Sequence, residues 1–154
     1  MRHPDSTERT NDLKEDAARR DFTINSMFMD EEGEVYDYFN GIDDIEEHII
    51  RAVGNPMDRF KEDPLRILRA MRFATEKKFT IEDNTVRAMD ECMPLLNNKS
   101  LALDRMRVEV NKMLRADVDR AMGYLIDFGV IKYMMRKDPN SYFQFVQGTK
   151  FRAV

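Results

Sequence analysis

The chain has 154 residues, 42% hydrophobic and 35% charged, with a formal net charge of −4. That length fits one domain, or one domain and part of a second, and the acidic balance argues against a binder of nucleic acid by bulk charge, which needs a basic excess or stripe. No run of about eighteen apolar residues exists for a membrane-crossing helix, no signal peptide follows Met1, and the single Cys92 can form no internal disulfide and has no metal-ligand spacing around it, so a reducing, cytoplasmic setting is expected.

The opening from Met1 to Thr10 is polar and aperiodic, and is expected to be poorly ordered unless docked. Asn11 or Asp12 can cap a short helix through Leu13, Ala17 and Ala18. Phe22, Ile24 and Phe28 follow a period of two and suggest a strand. Asp30-Glu31-Glu32-Gly33 reads as a turn, and residues 35–39 return as a second strand, closing a hairpin. Asn40-Gly41 is a further turn signal, and Asp43 and Asp44 suit the start of a short helix, where the dipole favours negative charge.

After Gly54-Asn55-Pro56 the pattern turns helical. Ile67, Ala70, Met71 and Ala74 share one helical face. Residues 80–84 restart the pattern for a helix with Val86, Met89 and Met93. Ser100 offers a cap for a helix with Leu103, Met106, Val110, Met113 and Leu114, and Asp117 caps one with Met122, Leu125, Ile126 and Val130. The twelve methionines and absent tryptophan point to a core filled by flexible side chains. The expected fold is mainly α with a small β hairpin near the N-terminus: a front region at 1–55, a helical region at 56–137 and an irregular aromatic tail at 138–154. Two strands alone are marginal in water, so the hairpin is expected to join a larger sheet, and its open edge favours association.

Asp63 and Arg66 are three apart at a helix start and share a face. Taken alone they read as an exposed ion pair, or as a cap at Asp63 with Pro64 at the first helical position. A functional reading is also open. A carboxylate only accepts hydrogen bonds and a guanidinium only donates. Cytosine and adenine present an amino donor beside a ring-nitrogen acceptor; uracil and guanine present the reverse. An Asp–Arg pair can therefore select C and A. Arg19, Arg20 and Asp21 read either as a solvated charge cluster or as a phosphate clamp with an acceptor for a ribose hydroxyl. Arg59, Lys61, Arg66, Arg69 and Arg72, with Arg105, Arg107, Lys112 and Arg115, could track phosphates or form solvated faces. Asp117-Val118-Asp119 reads as a helix cap.

Together these segments resemble the class II tRNA CCA-adding enzymes and bacterial poly(A) polymerases. Arg19-Arg20-Asp21-Phe22-Thr23-Ile24-Asn25-Ser26-Met27 is similar to that family's RRDFTINAM segment. Residues 50–56 resemble IRxVGxP, and residues 59–74, containing Glu62-Asp63-Pro64-Leu65-Arg66, resemble RFxEDPLRxLRAxRFA. Arg105 and Glu109 fall where the family has ERxxxE, with Asp104 replacing the first Glu. Residues 37–41 resemble a flexible DPFGG loop, with Tyr38 and Asn40 in place of Pro and Gly. The resemblance implies a partial nucleotidyltransferase head and a helical neck. It implies that Arg20 and Asp21 contact the triphosphate and sugar of CTP or ATP, that Asp63 and Arg66 read the base, and that Arg69 supports them. Arg19, Asn25, Glu62, Arg72, Arg105 and Glu109 take supporting places.

The same resemblance implies Mg²⁺ held by an Asp-x-Asp strand that precedes the Arg-Arg-Asp segment. Only Arg2-His3-Pro4-Asp5-Ser6 resembles its lead-in, so no catalytic or metal-holding residue is assigned to this chain. The expected partners are CTP, ATP and a tRNA 3′ end, with a separate chain for the catalytic head or a second copy of this one, and no membrane. The alternative is a non-catalytic RNA- or nucleotide-binding module, or a helical interaction protein, derived from that family.

Overall fold

The computed structural model describes residues 5–138. The start of the polar opening and all but the first residue of the expected aromatic tail lie outside them. The first helix, α1, runs Asp5–Ala18. It begins ahead of the caps expected at Asn11 or Asp12, because no Gly or Pro interrupts residues 6–18.

The strand expected from Phe22 to Phe28 is broken. Phe22 is extended and bridges Ala52, but Thr23–Asn25 forms a 3-10 turn. The Thr23 hydroxyl donates to Asp44 Oδ2 at 2.6 Å and the Ser26 hydroxyl to the Thr23 carbonyl at 2.8 Å. The second, a local bond to the backbone, competes with a strand ladder. The hairpin then forms from β1 (Met27–Met29) and β2 (Val35–Asp37), antiparallel, with Phe28 opposite Tyr36. Gly33 takes φ of +84° in its turn. There Asp30 Oδ1 accepts from the Glu32 and Glu34 amides, each at 2.9 Å.

Helix α2 (Gly41–Glu47) carries Asp43 and Asp44 in its first turn. The Asp37 carboxylate accepts from the Gly41 and Ile42 amides at 2.8 and 3.0 Å. Next comes β3 (Ile49–Ile50), which pairs in parallel with β4 (Thr80–Ile81). Sequence periodicity does not reveal this pair, because two-residue strands are too short to alternate.

Asn55 caps α3 (Pro56–Glu62), its side chain accepting from Met57 N. Asp63 is extended between α3 and α4 (Leu65–Lys77), whose N-cap is Pro64 rather than the expected Asp63; the Asp63 Oδ1 still accepts from the first helical amide, Leu65 N, at 3.1 Å. Glu82 caps α5 (Asp83–Cys92), and Met93–Asn97 follows as a 3-10 turn. Ser100 is not the cap of α6 (Leu103–Ala116), which starts at an uncapped Ala102. The chain first turns on Asn98 and buries Leu101 in the core. Asp117 caps α7 (Val118–Asp127) as expected, and Gly129, at φ of +67°, separates it from α8 (Val130–Lys137).

Helix α4 is the central element. It packs against α6, α7, β3 and β4, with Ile67, Leu68, Ala70, Met71 and Ala74 at 0% exposure. One apolar cluster runs from Phe22 to Met134 and takes in Met71, Met89, Met106 and Met113. The fold is mainly helical with a small antiparallel hairpin.

Candidate functional site

Three stretches of chain converge on one open cavity of about 650 Å³. The end of α1 and the turn after it supply Asp16, Arg19, Arg20, Asp21 and Asn25; the α3–α4 junction and α4 supply Asp63, Leu65, Arg66, Arg69 and Phe73; α6 supplies Arg105. Five arginines face three aspartates, so the cavity favours anions although the chain as a whole is acidic.

The turn is anchored by backbone bonds. Thr23 N donates to the Arg51 carbonyl and Val53 N to the Asp21 carbonyl. Asp21 is 7% exposed. Its Oδ1 accepts from Phe22 N at 2.8 Å and its Oδ2 from Arg69 Nε at 2.7 Å. A buried carboxylate needs such partners. Arg20 Nη2 donates to Asp16 Oδ2 at 3.1 Å, and its guanidinium lies 5.1 Å from the Phe28 ring centre.

Asp63 and Arg66 share the cavity, but not the ion pair that their spacing suggests. Asp63 Oδ2 pairs with Arg105 Nη2 at 3.2 Å. Arg66 pairs with Glu62 at 2.8 Å and donates to the carbonyls of Arg19 and Arg59 at 2.8 and 3.2 Å. These contacts tie the base of α4 to the Arg-Arg-Asp turn.

Glu62, Arg72 and Glu109 do not line the cavity: Glu62 is half exposed and pairs with Arg59 and Arg66, while Arg72 and Glu109 are buried. Glu109 is 5% exposed and bonds the buried Arg72, with Arg69 3.9 Å away. Burial pulls the Arg72 pKa down, but hydrogen bonds to Glu76 and Glu109 outweigh it and leave the guanidinium above its ordinary value. Sequence reasoning missed Asp16, Leu65 and Phe73. Asp16 lies four residues before Arg20 and Phe73 four after Arg69, the helical spacing that brings side chains together.

The implied Mg²⁺ does not fit these residues. Among the described residues, no three of His, Cys, Asp or Glu come together to hold a metal ion. Asp117 of the Asp-x-Asp spacing accepts from Arg120 N as a cap.

Comparison with known proteins accounts for this arrangement. A family model described as the poly A polymerase head domain matches residues 1–51, and one described as the probable RNA and SrmB-binding site of polymerase A matches residues 78–139. The CCA-adding enzyme of Limosilactobacillus reuteri is 47% identical over 113 residues, 73% of this chain and 28% of its own length. Among solved structures, the Bacillus stearothermophilus CCA-adding enzyme in complex with CTP is 41% identical with a TM-score of 0.70, covering 73% of this chain and 28% of that one. A CCA-adding enzyme with ATP is 33% identical with a TM-score of 0.72, covering 81% and 30%. The Thermotoga maritima enzyme complexed with tRNA is 32% identical with a TM-score of 0.72, covering 81% and 31%. This chain thus spans about a third of the length of the relatives it matches. No described helix is long and apolar enough to cross a membrane. With the Arg-Arg-Asp turn and the Glu-Asp-x-x-Arg helix meeting in one cavity, the chain belongs to the family of CCA-adding enzymes and poly(A) polymerases.

Proposed function

We propose that this chain is the nucleotide-selecting part of a CCA-adding type tRNA nucleotidyltransferase, binding CTP and ATP for addition to a tRNA 3′ end. The observation that carries this reading is the gathering of Arg20, Asp21, Asp63, Arg66 and Arg69 around one cavity. Asp63 and Arg66 read the base. The Asp63 carboxylate accepts two bonds from the protein and has about four lone-pair sites, so it can also accept from the amino group of C or A. Arg66 commits three N–H donors to protein oxygens out of five, which leaves donors for the ring nitrogen. Uracil or guanine would leave groups unpaired at about 1–3 kcal/mol each.

Arg20 takes the triphosphate, Asp21 accepts from the sugar and Arg69 supports both. Residues 1–55 act as part of the head and 56–137 as the neck, with 138–154 an irregular aromatic end to the chain, in the cytoplasm where the substrate tRNA resides. The carboxylates and Mg²⁺ that perform the transfer lie outside residues 5–138, on a further segment or a separate chain, and no step through that ion is assigned to the residues described.

Isothermal titration of the chain with CTP, ATP, UTP and GTP tests this. The expected result is binding of CTP and ATP alone, lost in Arg66→Ala. Equal binding of UTP and GTP, or binding that survives Arg66→Ala, would overturn the base-reading role.

A further inference from the structure

Two arginines of the cavity are held in the same unusual way. Arg20 is bonded to Asp16 on one edge while its guanidinium faces the Phe28 ring, 5.1 Å from the ring centre. Arg69 is bonded to Asp21 on its Nε edge while its guanidinium faces the Phe73 ring, also at 5.1 Å. The pairs come from unrelated parts of the fold: Phe28 lies on β1 and Phe73 on α4. Arg66 and Arg105 are held by oxygens, and among the described residues no aromatic ring faces either.

The chemistry separates the two kinds of holder. A carboxylate fixes a guanidinium by consuming one or two of its N–H donors, and it cancels the charge that attracts an anion. A ring face attracts the cation through its quadrupole and consumes none of the five in-plane donors. A long side chain already held in place also loses less freedom when a ligand arrives. The ring thus fixes the direction while the edge stays available.

We infer that Phe28 and Phe73 are positioning residues that hold Arg20 and Arg69 aimed into the cavity before an anionic ligand binds. This rests on the nucleotide-binding reading for the ligand, but the positioning itself is a property of the unliganded chain. Phe73 has a second duty. It meets Phe22 edge-to-face at 5.8 Å and also carries Arg72 over its ring at 4.3 Å, so Phe28 gives the cleaner test.

The experiment compares Phe28→Leu with Phe28→Tyr, and Phe73→Leu with Phe73→Tyr, in the full chain. The first readout is the NMR signal of the Arg20 and Arg69 Nε–H groups without ligand. Faster exchange at Arg20 in Phe28→Leu and at Arg69 in Phe73→Leu, with recovery in the Tyr variants, is the expected result. The second readout is CTP titration, where each Leu variant should bind roughly two- to five-fold more weakly, in line with an exposed cation–π contact. Unchanged Nε–H exchange in Phe28→Leu, or equal loss in Phe28→Tyr, would overturn the inference. Failure of the unaltered chain to bind CTP while the exchange pattern holds would sink the nucleotide reading and leave the positioning role standing.

Discussion

Arg72 carries a full charge at 9% exposure, and the fold tolerates this through Glu109 and Glu76. Replacing a buried pair together is often harmless, whereas removing one partner strands a charge at about 3–5 kcal/mol. Glu109→Ala should therefore lower the unfolding free energy by about 3 kcal/mol in urea titration. The double change Arg72→Met, Glu109→Met should lose less; an equal or larger loss would mean that the pair itself stabilises the fold. The residues of the cavity were largely legible in the sequence, because Arg20, Asp21, Asp63, Arg66 and Arg69 sit in two long motifs. Their partners were not. Asp63 pairs with Arg105 across 42 positions and Arg66 bonds the Arg19 carbonyl across 47, and local spacing carries no information on contacts so remote. The aromatic holders escaped notice because a phenylalanine in an amphipathic segment reads first as core.

Two short elements make sharp tests. A Cβ added at Gly41 would lie 2.3 Å from the Thr23 carbonyl oxygen, so Gly41→Ala must push α2 from the 3-10 turn. The expected cost is about 1–3 kcal/mol, measured by thermal unfolding; a neutral change would show that the two segments separate freely. In the hairpin turn, the Glu34 amide is the main cause that holds the Asp30 carboxyl below its ordinary value, with the Tyr36 hydroxyl and the Glu32 and Gly33 amides adding to it against some desolvation. Depressed in the folded state, this group contributes stability above its unfolded value and loses it as pH falls through the folded one. The Glu32 and Glu34 amide signals should then shift together below about pH 4; a transition at or above the ordinary carboxylate value would contradict the turn geometry. The helices and this hairpin follow from periodicity and turn chemistry. The parallel β3–β4 pair does not, because residues 49–50 and 80–81 are joined across the whole of α3 and α4 and each strand is too short to alternate. The strand expected through Thr23 failed because the Ser26 hydroxyl offered the Thr23 carbonyl a local partner, while the Thr23 hydroxyl is held by the remote Asp44 carboxylate.

At the scale of the molecule, Cys92 reports on the shared core. Its thiol is 2% exposed, and burial raises its pKa, with Lys61 opposing and Glu91 adding to the shift. A disulfide reagent should react with it at the rate of global opening, slowing in step with any ligand that stabilises the fold. Rapid reaction in the native state would mean that α5 detaches alone. Helix α4 binds this core to the cavity, and its geometry has an evolutionary consequence. Arg66, Arg69 and Arg72 recur every three residues on a helix of about 3.6 residues per turn, so each falls about 60° behind the last. Three identical side chains are thereby set apart: Arg66 and Arg69 line the cavity, the first also bonded to backbone carbonyls, and Arg72 lies inside the protein. Deleting one residue between them would swing everything downstream by about 100° and exchange those settings at once. Selection along this stretch should therefore act on its length as strictly as on the identity of its side chains.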